Sequence, residues 1–114
     1  MPTGVLDTIK TSCGIDSENS DFDQELLIFI NSNVSVLCQL GVVSTPIVVD
    51  ANTTWTDLIG SYTDIEMIKT EMYLAVVLVF DPPVNASVLA SYQKHLEELQ
   101  FRLREQCDPS RMED

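Results

Sequence analysis

The chain predicts an all-α fold, a small bundle of four to five helices with a C-terminal helical hairpin. Three observations carry this. Apolar residues recur at helical spacing over three long stretches, residues suited to starting and stopping helices stand at their ends, and β-branched residues crowd without helical spacing only in 42–54. With 114 residues and 45% hydrophobic content there is enough apolar side chain for one core, so 1–114 reads as a single domain. The tail from about 107 to 114 reads as extended.

The first helix carries Val5, Leu6 and Ile9 on one side, with Thr3 as its expected cap and Gly14 just past its end. The second is expected from Phe22 to Leu40, roughly 28 Å at 1.5 Å per residue. Asp21 and Gln24 fit a capping box there, and Asp21, Asp23 and Glu25 suit the positive end of the helix dipole. Gln39, Leu40 and Gly41 form its stop. Residues 42–54 hold a proline and polar turn formers among β-branched residues, which predicts an irregular loop with at most one short extended piece. Thr54 can accept a bond from the amide of Asp57, capping a single turn through Trp55, Leu58 and Ile59 that closes at Gly60.

In the fourth helix Ile65, Ile68, Met72, Ala75, Val76 and Val79 recur at helical spacing, with Glu66, Lys69, Thr70 and Glu71 between them. Its second half is apolar all round, which predicts burial on every side, partly by another chain covering Tyr73 to Val79. Asp81, Pro82 and Pro83 end it sharply, because a residue before proline avoids the α conformation and prolines lack an amide hydrogen. A last helix capped by Asn85, with Val84 and Leu89 as a staple, folds back antiparallel. Leu89, Tyr92, Leu96, Leu99 and Leu103, spaced 3, 4, 3, 4, make a seam for one partner helix.

Charge narrows the function classes. Six basic against 18 acidic residues give −12, with a pI near 4.1. Four of the six basic residues (Lys94, Arg102, Arg104, Arg111) lie in the last 21 positions beside six acids, so that segment carries −2 and the rest −10. A chain of this kind repels nucleic-acid phosphates. The seven-residue run from Leu74 to Phe80 is far below the roughly 20 residues a membrane helix needs, and the N-terminus lacks the pattern of a secretory signal, so a cytoplasmic product with no membrane association is expected. Cys13, Cys38 and Cys107 are odd in number and widely spaced, which reads as reduced thiols in or near the core. The glycosylation-like triplets at Asn33, Asn52 and Asn85 are discounted without a signal.

Chemistry finds little support. The one histidine, His95, sits on the last helix with no nucleophile pattern around it. Asp16 to Glu25 alternates carboxylates, but a calcium loop counted from Asp16 would need glycine where Asp21 stands and glutamate where Leu27 stands. No phosphate loop, zinc spacing or aromatic-basic strip is present. No catalytic residue, metal ligand or cofactor is expected.

The segments INSNVSVLCQLGV (30–42), TWTDLIG (54–60), EMIKTEMYLAVVLVFDPP (66–83) and ELQFRL (98–103), in this order, resemble the head-tail connector, or adaptor, family of long-tailed bacteriophages, especially those of Gram-positive hosts. The similarity spans roughly residues 22–105. The resemblance implies a helical, non-enzymatic virion protein of the neck, assembled in the host cytoplasm. It implies a homo-oligomeric ring, twelvefold to match the portal, between portal and a tail-side connector or stopper protein. Such a ring extends the channel through which genomic duplex DNA passes without specific binding. On this view Gln39, Leu40, Gly41, Trp55, Phe80, Asp81, Pro82 and Pro83 set the fold. Tyr73, Val77, Leu96, Leu99 and Leu103 are candidates for the subunit interface, and Arg102, Arg104, Arg111 and Met112 for portal contact. Ala75 and Val77 replace basic residues of the family pattern, which suggests an apolar contact in place of a salt bridge. An acidic channel wall would keep DNA, at one charge per about 1.7 Å, from sticking. The alternative reading is a small acidic regulator or DNA mimic bound to a basic partner protein.

Overall fold

Among the described residues five helices follow one another: α1 (Val5–Ser12), α2 (Asp23–Leu40), α3 (Trp55–Ile59), α4 (Ile65–Phe80) and α5 (Ala86–Cys107). They are seen in a computed structural model that describes residues 4–16, 18–43, 47–60 and 65–107. No strand forms among the described residues; one isolated antiparallel bridge joins Gly4 to Thr54.

Local chemistry explains most helix ends. After α1, Gly14 adopts φ 78°, and the amides of Gly14 and Ile15 bond back to the carbonyls of Thr11 and Lys10. Gly41, at φ 92°, does the same for α2, its amide reaching Cys38 and that of Val42 reaching Leu37. Both are Schellman stops, which need a left-handed residue at the turn. Thr54 caps α3 in a complete capping box: its hydroxyl accepts from the Asp57 amide at 3.1 Å and its own amide donates to the Asp57 carboxylate at 3.0 Å. Asn85 caps α5 by accepting from the amides of Ser87 and Val88.

Three expected starts differ. The cap position of α1 is Gly4, which offers no side chain to the first-turn amides, while Thr3 lies outside the described residues. The Asp21–Gln24 box does not form, since α2 begins at Asp23 with Phe22 in the cap position. Asp21 instead donates its amide to Asn19 Oδ1, Asp23 pairs with Lys10 at 2.9 Å, and the Phe22 ring meets Phe80 edge-on at 5.5 Å. Those tertiary contacts fix how the chain enters α2 and move its start. Val84 is fully exposed, so the staple with Leu89 is absent. The chain leaves the two prolines with Val84 turned to water, and Asn85 alone organises the first turn of α5.

α4 packs against both α2 and α5, and α1 lies across α2 and α4. Early α4 meets late α5, as the bond from Gln100 to Glu71 shows, which makes the two an antiparallel hairpin. The core gathers Val5, Leu6 and Ile9 from α1, Leu26, Ile30 and Leu37 from α2, Trp55 and Leu58 from α3, Ile68, Met72 and Val76 from α4, and Leu103 from α5. Each such large side chain contributes about 1.5–3 kcal/mol on leaving water. Trp55 also donates its indole N–H to Thr8 at 2.9 Å, fixing α3 on α1, and the Lys69 ammonium lies 5.9 Å from the Trp55 ring centre.

The described part of the stretch after α2 is irregular, as expected, but it is tied down. Asn31 donates to the Val49 carbonyl and accepts from the Val49 amide at 2.7 Å, so one side chain stands in for a neighbouring strand. A turn around Asp50 follows, with the Asn52 amide and Thr53 hydroxyl bonded to its carboxylate; these bonds, the first above all, hold that carboxyl below its usual range. Thr53 then accepts from the amide of Val5 at 2.9 Å.

Candidate assembly surface

The apolar half of α4 is covered around most of its circumference and open along one side. Leu74, Val76 and Val77 are buried, Tyr73, Ala75 and Leu78 are half-buried, and Val79 is 59% exposed. The open side forms a groove of about 430 Å³ between α2, α4 and α5, whose walls include Phe29, Val36, Leu78, Val79 and Leu96. Helix packing brings these residues together from α2, α4 and α5, and among the described residues none closes the groove over exposed Val79.

Beneath this groove lies a polar knot around Glu71, which sequence reading placed only among the polar residues between the apolar positions of α4. Glu71 is fully buried. Its carboxylate accepts one bond from Asn33 of α2 at 2.7 Å and another from Gln100 of α5 at 3.0 Å. Desolvation raises its pKa, and the two amide bonds offset part of that rise. Glu71 forms no ion pair among the described residues. One side chain therefore joins three helices through neutral donors. The available signal was its register: Glu71 falls three residues after Ile68 and four before Ala75, inside the apolar stripe.

Nearer the start of α4's apolar half, burial first and then the neighbouring Tyr92 hydroxyl push the Tyr73 pKa up. Burial, with the nearby Asp81 carboxylate, also raises the Cys13 thiol, which therefore stays protonated at neutral pH. Cys13 and Cys38 are free and half-buried.

A second groove, about 670 Å³, runs between α2 and the loop, with Leu27, Ile28, Asn31, Ile47 and Val48 on its walls. Ile28 is 60% and Val48 82% exposed. On the far face of α5, Phe101 stands 64% exposed; Lys94 and Arg102 border it on one side and Arg104 on the other.

The residues singled out from sequence fall into three groups. Gly41, Leu40, Trp55 and Phe80 sit at helix stops or in packed contacts, Gln39, Asp81 and Pro82 are exposed, and Pro83 is half-buried. Of the interface candidates, Val77, Leu99 and Leu103 are buried within the subunit, whereas Tyr73 and Leu96 are half-buried at its surface. Arg102 and Arg104 are exposed on α5, and Arg111 and Met112 lie outside the described residues. Sequence reading missed Ile28, Val48 and Phe101 as exposed apolar positions. Among the described residues no group of three His, Cys, Asp or Glu side chains is placed to hold a metal ion, and no helix is long and apolar enough to cross a membrane.

A family model described as phage connector protein matches residues 5–110. This chain belongs to that family. Comparison with curated proteins and with solved structures returned no match. As a phage connector, the protein has a structural role at the head-tail junction of the virion, in assembly with other head and tail proteins. The connector's open apolar grooves are the kind of surface such assembly consumes.

Proposed function

We propose that this connector acts as a homo-oligomeric ring, twelvefold like the portal, seated between the portal and a tail-side connector or stopper protein. The ring extends the DNA channel, completes the filled head and offers the platform for tail attachment. The whole of 1–114 serves as one connector domain, assembled in the host cytoplasm before it joins the neck. The observation that carries this reading is the family match over residues 5–110, made on a chain whose apolar helix faces exceed what it covers by itself. Tyr73, Leu96 and the open side of α4 would face a neighbouring subunit. The end of α5 with Arg102 and Arg104, together with Arg111 and Met112, would reach the portal.

The acid excess supports a channel role, because a wall of like charge keeps duplex DNA moving freely. At 10 Å in water each like pair costs about 0.4 kcal/mol before screening, small singly and repeated around a ring. Electron microscopy of the protein mixed with the portal of the same phage tests the reading. An added ring on the portal's outer, narrow end is expected, with acids on its lumen. Bare portals, with both proteins folded and salt varied, would overturn the ring; a ring with acids outside and a neutral or basic lumen would overturn the channel-wall argument alone.

A further inference from the structure

Two surfaces of this subunit are complementary, and they lie near opposite ends of α2. Of the described cations, Lys10 pairs with Asp23 and Lys69 with Glu66, whereas Lys94, Arg102 and Arg104 form no ion pair among the described residues. All three surround the exposed ring of Phe101, beside the C-terminal end of α2 marked by Leu40. Glu97 and Glu98 share that ridge and leave it with one net positive charge, in a chain of −12. At the other end, Asp21 and Glu25 are exposed at the start of α2, and Ile28, Ile47 and Val48 open the groove along the loop. From Gln24 to Leu40 the helix rises about 24 Å.

We propose that Phe101 of one copy docks in the Ile28–Val48 groove of the next, with Lys94 and Arg102 facing Asp21 and Glu25 there. This rests on the ring reading, and it moves Arg102 from the portal-facing set to the subunit contact. The occupant is a second copy because charge dictates it: two chains of −12 repel in nearly every orientation, and this pairing brings the unpaired cations of one onto exposed acids of the other. The apolar parts agree, a protruding aromatic ring meeting an open apolar groove. The two patches are different surfaces of the subunit, so the contact is heterologous. Repetition of such a contact gives a closed ring or an open helix, never a sealed dimer.

The test uses two full-length variants, Phe101→Asp and Ile28→Asp, both at exposed positions, with circular dichroism melts to verify that each stays folded. Wild type is expected to add a ring to the portal, counted by native mass measurement, and each variant alone to lose ring binding by about tenfold or more. Mixed without portal, the variants should cross-link into a 1:1 heterodimer and no further, since one retains the Phe101 ridge and the other retains the groove. A ring formed by either variant overturns the contact and leaves the ring reading standing. Variants that neither ring nor pair overturn the contact as well. Wild type that forms no ring overturns the ring reading itself, and this contact with it.

Discussion

The Glu71 knot gives the sharpest energetic prediction. Replacing Glu71 by alanine removes two hydrogen bonds and strands the buried Asn33 amide and the half-buried Gln100 amide. At about 1–3 kcal/mol for the buried Asn33 amide left unpaired and about 1 kcal/mol for the half-buried Gln100 amide, the cost is about 2–4 kcal/mol. For a domain of this size that is a fall in Tm of roughly 8–16 °C. Glu71→Gln behaves differently: it forfeits one acceptor but also removes the charge that burial penalises, so the two effects largely offset near pH 7. The pH dependence separates them. Because the folded pKa is raised above the unfolded value of about 4.3, the folded state holds this proton more tightly. That contribution is complete below the unfolded pKa and is lost as pH rises through the folded one. Urea unfolding of wild type and Glu71→Gln between pH 4 and 8 should show wild type losing ground to the variant as pH rises, the other acids cancelling in the difference. A constant difference, or one that moves toward wild type with rising pH, would refute a buried, proton-preferring Glu71.

Other substitutions probe the local devices. Asn31→Ala removes both bonds to Val49 and should cost about 1–3 kcal/mol, with hydrogen exchange at the Val49 amide rising far more than in α2 or α4. Gly41→Ala forces a side chain into φ 92° and should cost about 1–2 kcal/mol in chemical denaturation, whereas alanine at exposed Gln39 of the same helix should change stability by less than about 0.5 kcal/mol. Pro82→Ala frees the stop between α4 and α5; incorporation into particles should drop, and unchanged incorporation would count against a role for the rigid hairpin in assembly.

Helix boundaries were legible where the deciding chemistry is local. Gly41, the Thr54–Asp57 box, Asn85 and the Pro82–Pro83 stop act through partners within a few residues, so spacing alone reveals them. The start of α2 was not, because Lys10 and Phe80, distant in sequence, override the box that Asp21 and Gln24 could have formed. The same holds for the knot. Asn33, Glu71 and Gln100 are 38 and 29 residues apart, and no periodicity announces that three polar side chains will converge in a core. The assembly surface was half visible: excess apolar helix shows in composition, but which of its residues remain uncovered depends on how α2 and α5 settle against α4.

The segment after α2 has a further meaning for how this subunit comes apart. Its attachments to the helices include the Asn31–Val49 pair and the bond from Val5 to Thr53, while the helical ladders close on themselves. Releasing its described part, residues 47–53, draws Val49 from the core but unwinds no helix, so its opening costs less than that of α2 or α4. A protease should therefore cut near Val48 and leave two pieces that remain associated through α2, α4 and α5, a nicked subunit that still melts as one.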